Sequence, residues 1–246
     1  MANQKLFNFV EWPKDEFPSE YLTATVNGTY EVRDVADATD GLALFASRDS
    51  GGLSRLTNYV ETPWTESTAT PREQQVRIRR AAGTDAMRFM LSGLNDAWFE
   101  IDNVKVRAGR LAGGTEADHN LDVTQWTNVK AITYQDSGAV VEVYAWQGDK
   151  DAIPSTPIVT RVGSSFGFYQ RPTMEVQPNH VNQWQIDWIG IGRNGEPAPT
   201  GPVEVSAEPF LLRHNPRTNK VIPVLSAPTV TDIGANCVRP RVTKGY

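Results

Sequence analysis

Ala97-Trp-Phe-Glu-Ile-Asp-Asn-Val-Lys-Val-Arg107 changes its hydrophobic phase in mid-run: Phe99 and Ile101 are apolar at odd positions, Val104 and Val106 at even ones. Side chains alternate between the two faces of a strand, so a single strand cannot keep both pairs on one face. A two-residue turn at Asp102-Asn103 resolves the conflict, because both residue types tolerate the left-handed backbone of a tight hairpin. The stretch is therefore expected to be a hairpin with arms Ala97–Ile101 and Val104–Arg110.

The neighbouring sequence has the same period of two. In Ala139-Val-Val-Glu-Val-Tyr-Ala-Trp146, one face carries Ala139, Val141, Val143 and Ala145. The other carries Val140, Glu142, Tyr144 and Trp146, which predicts a strand covered on both sides. Gln75–Arg79 points Val76 and Ile78 inward and its arginines outward, as a half-exposed strand does. Met87–Leu91, Val129–Tyr134, Phe166–Tyr169 and Trp184–Ile191 complete the set. No stretch sustains the three-four spacing of an amphipathic helix, so the expectation is an all-β fold, a sandwich. Val76, Ile78, Phe89, Leu91, Ile101, Val129, Val141, Val143, Phe168 and Ile186 are its predicted core.

The 246 residues amount to 27.2 kDa, enough for a core that needs no staples. Hydrophobic residues are 39%, charged residues 22%, and mean hydropathy is −0.42; no apolar run is long enough for a membrane helix. The single cysteine, Cys237, excludes an internal disulfide framework and a multi-cysteine zinc site. The first residues lack the apolar core of a signal peptide, so export by that route is not expected.

The formal charge of −5 is uneven: +3 from Pro197 to Tyr246, and −8 over the first 196 residues. The reading divides the chain into a sandwich over 1–195, a stiff proline-rich linker over 196–202, and an extended C-terminal arm over 203–246. A basic arm beside an acidic body suits an acidic protein partner or further copies of the chain. Arg213, Arg217, Arg239, Arg241, Lys244 and Tyr246 are the expected partner contacts. Nucleic acid is not, because the basic residues are spread out and few aromatics accompany them.

On Ala97–Arg107, on Leu121–Lys130 with its early tryptophan, on Val140–Gly148 and on Trp184–Gly192, the body resembles the concanavalin A-like lectin and glucanase sandwiches, especially their laminin-G-like branch. That resemblance implies a jelly-roll sandwich of two curved antiparallel sheets, with the last strand pairing near the N-terminus. It also invites comparison of Glu100–Lys105 with the glycosidase motif of the fold, which sets a nucleophilic Glu, an Asp and an acid/base Glu on one strand. Retaining hydrolysis needs two carboxyl groups about 5–5.5 Å apart. Lys105 stands where the second glutamate should, so no catalytic residue is assigned.

Other candidates are sparser. Glu116, Asp118, Asn120 and Asp122 offer oxygen atoms in what reads as a loop, a place for calcium in a chain otherwise expected to need no cofactor. Trp64, Trp146 and Tyr169 lie in or near expected loops, where an aromatic ring stacks on a sugar. The function expected from these features is a non-enzymatic structural protein of a bacteriophage virion, made in the host cytoplasm. It would contact other virion proteins and its own copies through the arm. A carbohydrate-binding module recognising cell-surface glycans is the alternative.

Overall fold

The computed structural model describes residues 4–10, 12, 14–16, 23–25, 28–48, 55–57, 70–91, 98–110, 113–135, 139–163, 175–178, 182–201, 211–215 and 220–224. The chain divides into two units, Met1–Val203 and Glu204–Tyr246. Every element among the described residues is a strand. Among the described residues these strands pair antiparallel throughout, and an isolated bridge between Lys14 and Val32 is parallel.

The first unit holds two sheets. One contains β1 (Gln4–Phe7), β3 (Tyr30–Asp34), β4 (Leu42–Arg48), β6 (Arg72–Ala82), β11 (Thr127–Gln135), β12 (Ala139–Gln147), β13 (Val159–Gly163) and β15 (Asn182–Gly192). Its order is β13-β12-β11-β6-β15-β4-β3, with β1 also on β15. The smaller sheet contains β2 (Thr23–Thr25), β5 (Arg55–Thr57), β7 (Met87–Met90), β8 (Trp98–Ile101), β9 (Lys105–Arg110), β10 (Gly113–Asp118) and β14 (Glu175–Pro178), ordered β10-β9-β8-β7-β14-β5-β2. In the second unit, β16 (Leu211–Asn215) and β17 (Lys220–Val224) form a hairpin.

Alternation decides the core. Val76, Ile78, Val129, Val141, Val143 and Ile186 of the larger sheet are buried in one cluster with Phe89, Leu91, Phe99, Ile101 and Val106 of the smaller-sheet side. Phe89 and Phe99 stack at 5.1 Å between centroids, their planes 15° apart. Nine of the ten predicted core residues are buried there; Phe168 lies outside the described residues. The fold is the expected sandwich.

The hairpin differs from the reading by one residue. Asp102 and Lys105 face each other, Asp102 N donating to Lys105 O at 3.0 Å, so the turn residues are Asn103 and Val104. Neither has a positive φ. The Asp102 carboxylate closes the turn instead, Oδ1 accepting from Val104 N and Lys105 N at 2.7 Å each. Val104 is thereby left half-exposed at the tip.

A second phase change, in β15, has another solution. Trp184 and Ile186 point inward, as do Ile189 and Ile191, and a bulge at Asp187 absorbs the odd residue. The buried Asp187 carboxylate accepts from Thr39 N at 2.9 Å, from Thr39 Oγ1 at 2.6 Å and from the Arg77 guanidinium. It thus ties the 35–41 turn to the larger sheet.

Residues 196–201, within the stretch expected to be a linker, lie along β15. A Cβ at Gly190 would stand 1.9 Å from Pro199 O, and one at Gly192 2.3 Å from Glu196 O. Gln4 Nε2 donates to Pro197 O at 2.8 Å, and Ala198 N to Glu73 Oε2 at 3.1 Å. Gly201 lies against the Trp188 indole.

Candidate functional site

The outward face of the smaller sheet is organised in cross-strand rows. Register places Gln177, Arg88, Glu100, Arg107 and Glu116 side by side on β14, β7, β8, β9 and β10. Four of these alternate in charge, and their ion pairs run unbroken along the row. Glu100 Oε2 meets Arg88 at 2.8 Å and its Oε1 meets Arg107 at 3.1 Å. Arg107 uses all three nitrogens of its fork: Nη1 to Glu100, Nη2 to Asp102 at 2.7 Å, and Nε to Glu116 at 3.0 Å. Lys105 also pairs with Glu116. Neighbouring strands lie about 4.8 Å apart, so the charged row from Arg88 to Glu116 is roughly 14 Å long.

Beside it runs a second row: Met90, Trp98, Gly109 and Gly114. The Trp98 ring lies flat because two glycines leave it a floor. A Cβ on Gly109 would fall 1.9 Å from its Cζ2, and one on Gly114 3.2 Å from its Cη2. The Arg88 guanidinium covers the ring at 4.1 Å from the centroid. Arg88 is thus fixed twice, by the ring and by Glu100.

Electrostatics follow the contacts. Burial works to raise the Asp102 carboxyl, but the N–H groups of Lys105 and Val104 together with Arg107 hold it below its ordinary value. Burial works to lower Arg107; its bonds to Glu116 and Asp102 outweigh that and raise it. Glu116 is lowered by its bonds to Lys105 and Arg107. His119 accepts from Leu121 N at Nδ1, so its proton sits on Nε2 and is donated to Asp102 O at 3.0 Å. The row therefore presents planar groups whose rotamers are set by their partners.

The residues singled out in the sequence fare differently. Glu100 and Lys105 are brought to one patch, but the Asp102 turn sends them into different strands, and each is held in ion pairs. Glu116 and Asp118 lie in β10, which corrects the loop reading of these residues: Glu116 is engaged by two cations, and Asp118 faces Lys105 across the ladder. Asp122 instead caps a turn, accepting from Thr124 N and Oγ1, and Asn120 is exposed. Among the described residues no three His, Cys, Asp or Glu side chains gather to hold a metal ion. Trp146 is buried in β12 with Nε1 donating to Asp149 O at 2.8 Å, so it offers no open face, contrary to the loop reading. Trp64, Tyr169, Arg217, Arg239, Arg241, Lys244 and Tyr246 lie outside the described residues, and Arg213 is a position in β16. Arg88, Trp98 and Arg107 were missed. Their signal was register, since only the pairing of β7, β8 and β9 aligns them.

No protein-family model matches the chain, and no curated protein matches it. Solved structures do. A protein of unknown function, SO2946, from Shewanella oneidensis MR-1 has a TM-score of 0.53 at 12% identity, over 81% of this chain and 89% of that one. The cellulose induced protein Cip1 has a TM-score of 0.51 at 11% identity, over 80% of this chain and all of that one (100%). A putative beta-glucanase, the Rv0315 ortholog from Mycobacterium abscessus, has a TM-score of 0.44 at 12% identity, over 76% and 98%. Such neighbours correct the expectation of a non-enzymatic virion component. Proteins titled beta-glucanase, endo-beta-1,4-glucuronan lyase and transglycosylase are among the chains on this sandwich. What the likeness establishes for this chain is its fold, a concanavalin A-like antiparallel sandwich.

Proposed function

We propose that the protein recognises carbohydrate on the outward face of its smaller sheet, along the row Arg88–Glu100–Arg107–Glu116, with the buried Trp98 ring supporting Arg88 from beneath. One observation carries the reading: planar donors and acceptors alternate across four strands, each held by its neighbours. Sugar hydroxyls come in vicinal pairs that both donate and accept. Guanidinium forks and carboxylates engage such pairs two bonds at a time. Prior fixing of the side chains reduces the entropy lost on binding. Opposite charges balance along the row, which favours neutral or weakly charged glycans over polyanions.

The test is titration against a panel of neutral polysaccharides, beta-glucans first, with new reducing ends measured in the same samples. Arg107→Lys keeps the charge but loses the fork. It should weaken binding about tenfold or more while the fold, read by circular dichroism, is unchanged. Glycan binding that is indifferent to Arg107→Lys and to Glu100→Gln overturns the assignment. Cleavage by the wild type that vanishes in Glu100→Gln would add turnover to the same row.

A further inference from the structure

The opposite face of the sandwich carries a second constellation that the charged row does not use. On the outward side of the larger sheet, Tyr134, Val140 and Val162 form one cross-strand row, and Glu73, Ile132, Glu142 and Thr160 the next. Gln75, Lys130 and Tyr144 form the third. Glu142 is the centre of this grid. Its Oε1 accepts from Tyr134 Oη and its Oε2 from Tyr144 Oη, each at 2.9 Å. Both tyrosines and the carboxylate are half-buried, Ile132 is half-buried, and Val162 is 65% exposed. The nearby ammonium of Lys130 is committed to Glu73 at 2.7 Å.

From this geometry we infer a second carbohydrate site, centred on Tyr134, Glu142 and Tyr144, whose ligand is a neutral sugar ring. Two phenol rings locked by a shared carboxylate, with Ile132 and Val162 alongside, give a stiff surface for the apolar C–H face of a pyranose. A carboxylate offers about four lone-pair positions, and the phenols occupy two, which leaves acceptors for sugar hydroxyls. Two carboxylates against one ammonium make the patch repel anionic sugars. The inference rests on the proposal that this sandwich handles carbohydrate, and it adds a consequence. Sites on opposite faces make one chain bivalent, able to join two glycan strands or to grip one strand's neighbours.

Calorimetric titration of the full chain with a short neutral beta-glucan oligosaccharide tests it, alongside precipitation of the long polysaccharide. The wild type should bind two oligosaccharides per chain and precipitate the polymer. Tyr134→Ala with Tyr144→Ala should halve the stoichiometry and abolish precipitation while leaving the Arg107 site intact. Tyr134→Phe with Glu142→Gln, which changes almost no volume, should weaken the second site alone and guards against a folding defect. If the tyrosine variants leave stoichiometry and precipitation unchanged while Arg107→Lys removes all binding, the second site is wrong and the first stands. If only the tyrosine variants lose binding, the second site stands and the first falls. No binding in any arm overturns both, and binding of tetramethylammonium at Tyr134 and Tyr144 in place of sugar overturns the ligand class.

Discussion

Gly109→Ala should unseat Trp98. A methyl group there would stand 1.9, 2.2 and 2.5 Å from three ring carbons. Carbon atoms rest about 3.5–4.0 Å apart, so the ring must retreat by roughly 1.5–2 Å. Forcing a methyl into a packed site costs about 1–3 kcal/mol. Separating the ring from Arg88 adds about 0.5–1 kcal/mol, and the stiffer unfolded chain returns about 0.4–1 kcal/mol. The net loss should be about 1–3 kcal/mol. Urea unfolding followed by tryptophan fluorescence measures it. Gly114→Ala is the graded control: its Cβ would meet Trp98 and Ala108 O at 3.2 Å, and a small give accommodates it. In a double-mutant cycle, Arg88→Ala should cost less in the Gly109→Ala background than in the wild type. Equal stability of the Gly109 and Gly114 variants would refute the seat, as would strict additivity with Arg88→Ala.

Three further outcomes follow from the contacts. Asp102→Asn keeps a turn-capping oxygen but loses the charge that Arg107 holds. Because the folded carboxyl lies below its ordinary 3.8, its contribution is complete above about pH 5 and is lost as pH falls through the folded value. Thermal melts of the two proteins should therefore converge in acid; a gap that persists there contradicts the assignment. Asp187→Ala removes a carboxylate 1% exposed and leaves Arg77 without it, so denaturant titration should show a loss of about 3 kcal/mol; less than about 1 kcal/mol would count against the anchor. Burial first, then the bond to Glu142 and its charge, push the Tyr144 phenol up to about 12. Its stabilising contribution is present below the ordinary value of 10.0 and fades as pH rises through the folded one. Ultraviolet titration of Glu142→Gln should find Tyr144 ionising earlier, and an unmoved midpoint would exclude Glu142 as a cause.

Strand identity was legible because alternation with period two has one physical meaning, a face turned inward. Val141 and Val143 could be placed that way, and so could the phase change after Ile101. The same kind of phase change in Trp184–Ile191 is a bulge and not a turn. Sequence does not separate the two solutions, since a buried partner for Asp187 has to come from Thr39, far away in the chain. At the hairpin, the Asp102 carboxylate satisfied the turn's N–H groups and moved the tip by one residue. The site itself was hidden for a related reason. Arg88, Glu100 and Arg107 are ordinary outward positions until antiparallel register sets them abreast, and Trp98 needs glycines from two other strands beneath it. The proline-rich look of Glu196–Gly201, read as a linker, concealed a segment shaped to β15, whose own glycines make the room.

β15 lies between β6 on one edge and β4 and β1 on the other. A ribosome delivers chains from the N-terminus, so β1, β4 and β6 emerge long before the strand that joins them. Throughout most of synthesis, then, the interior edges of the larger sheet are open and able to pair with neighbouring nascent chains. Closure waits for Asn182–Gly192 and is fastened by the 196–201 segment, whose Pro197 carbonyl accepts from Gln4 of β1. Variants that slow or weaken this last step should show their effect first as aggregation during expression, before any change in the stability of the finished protein.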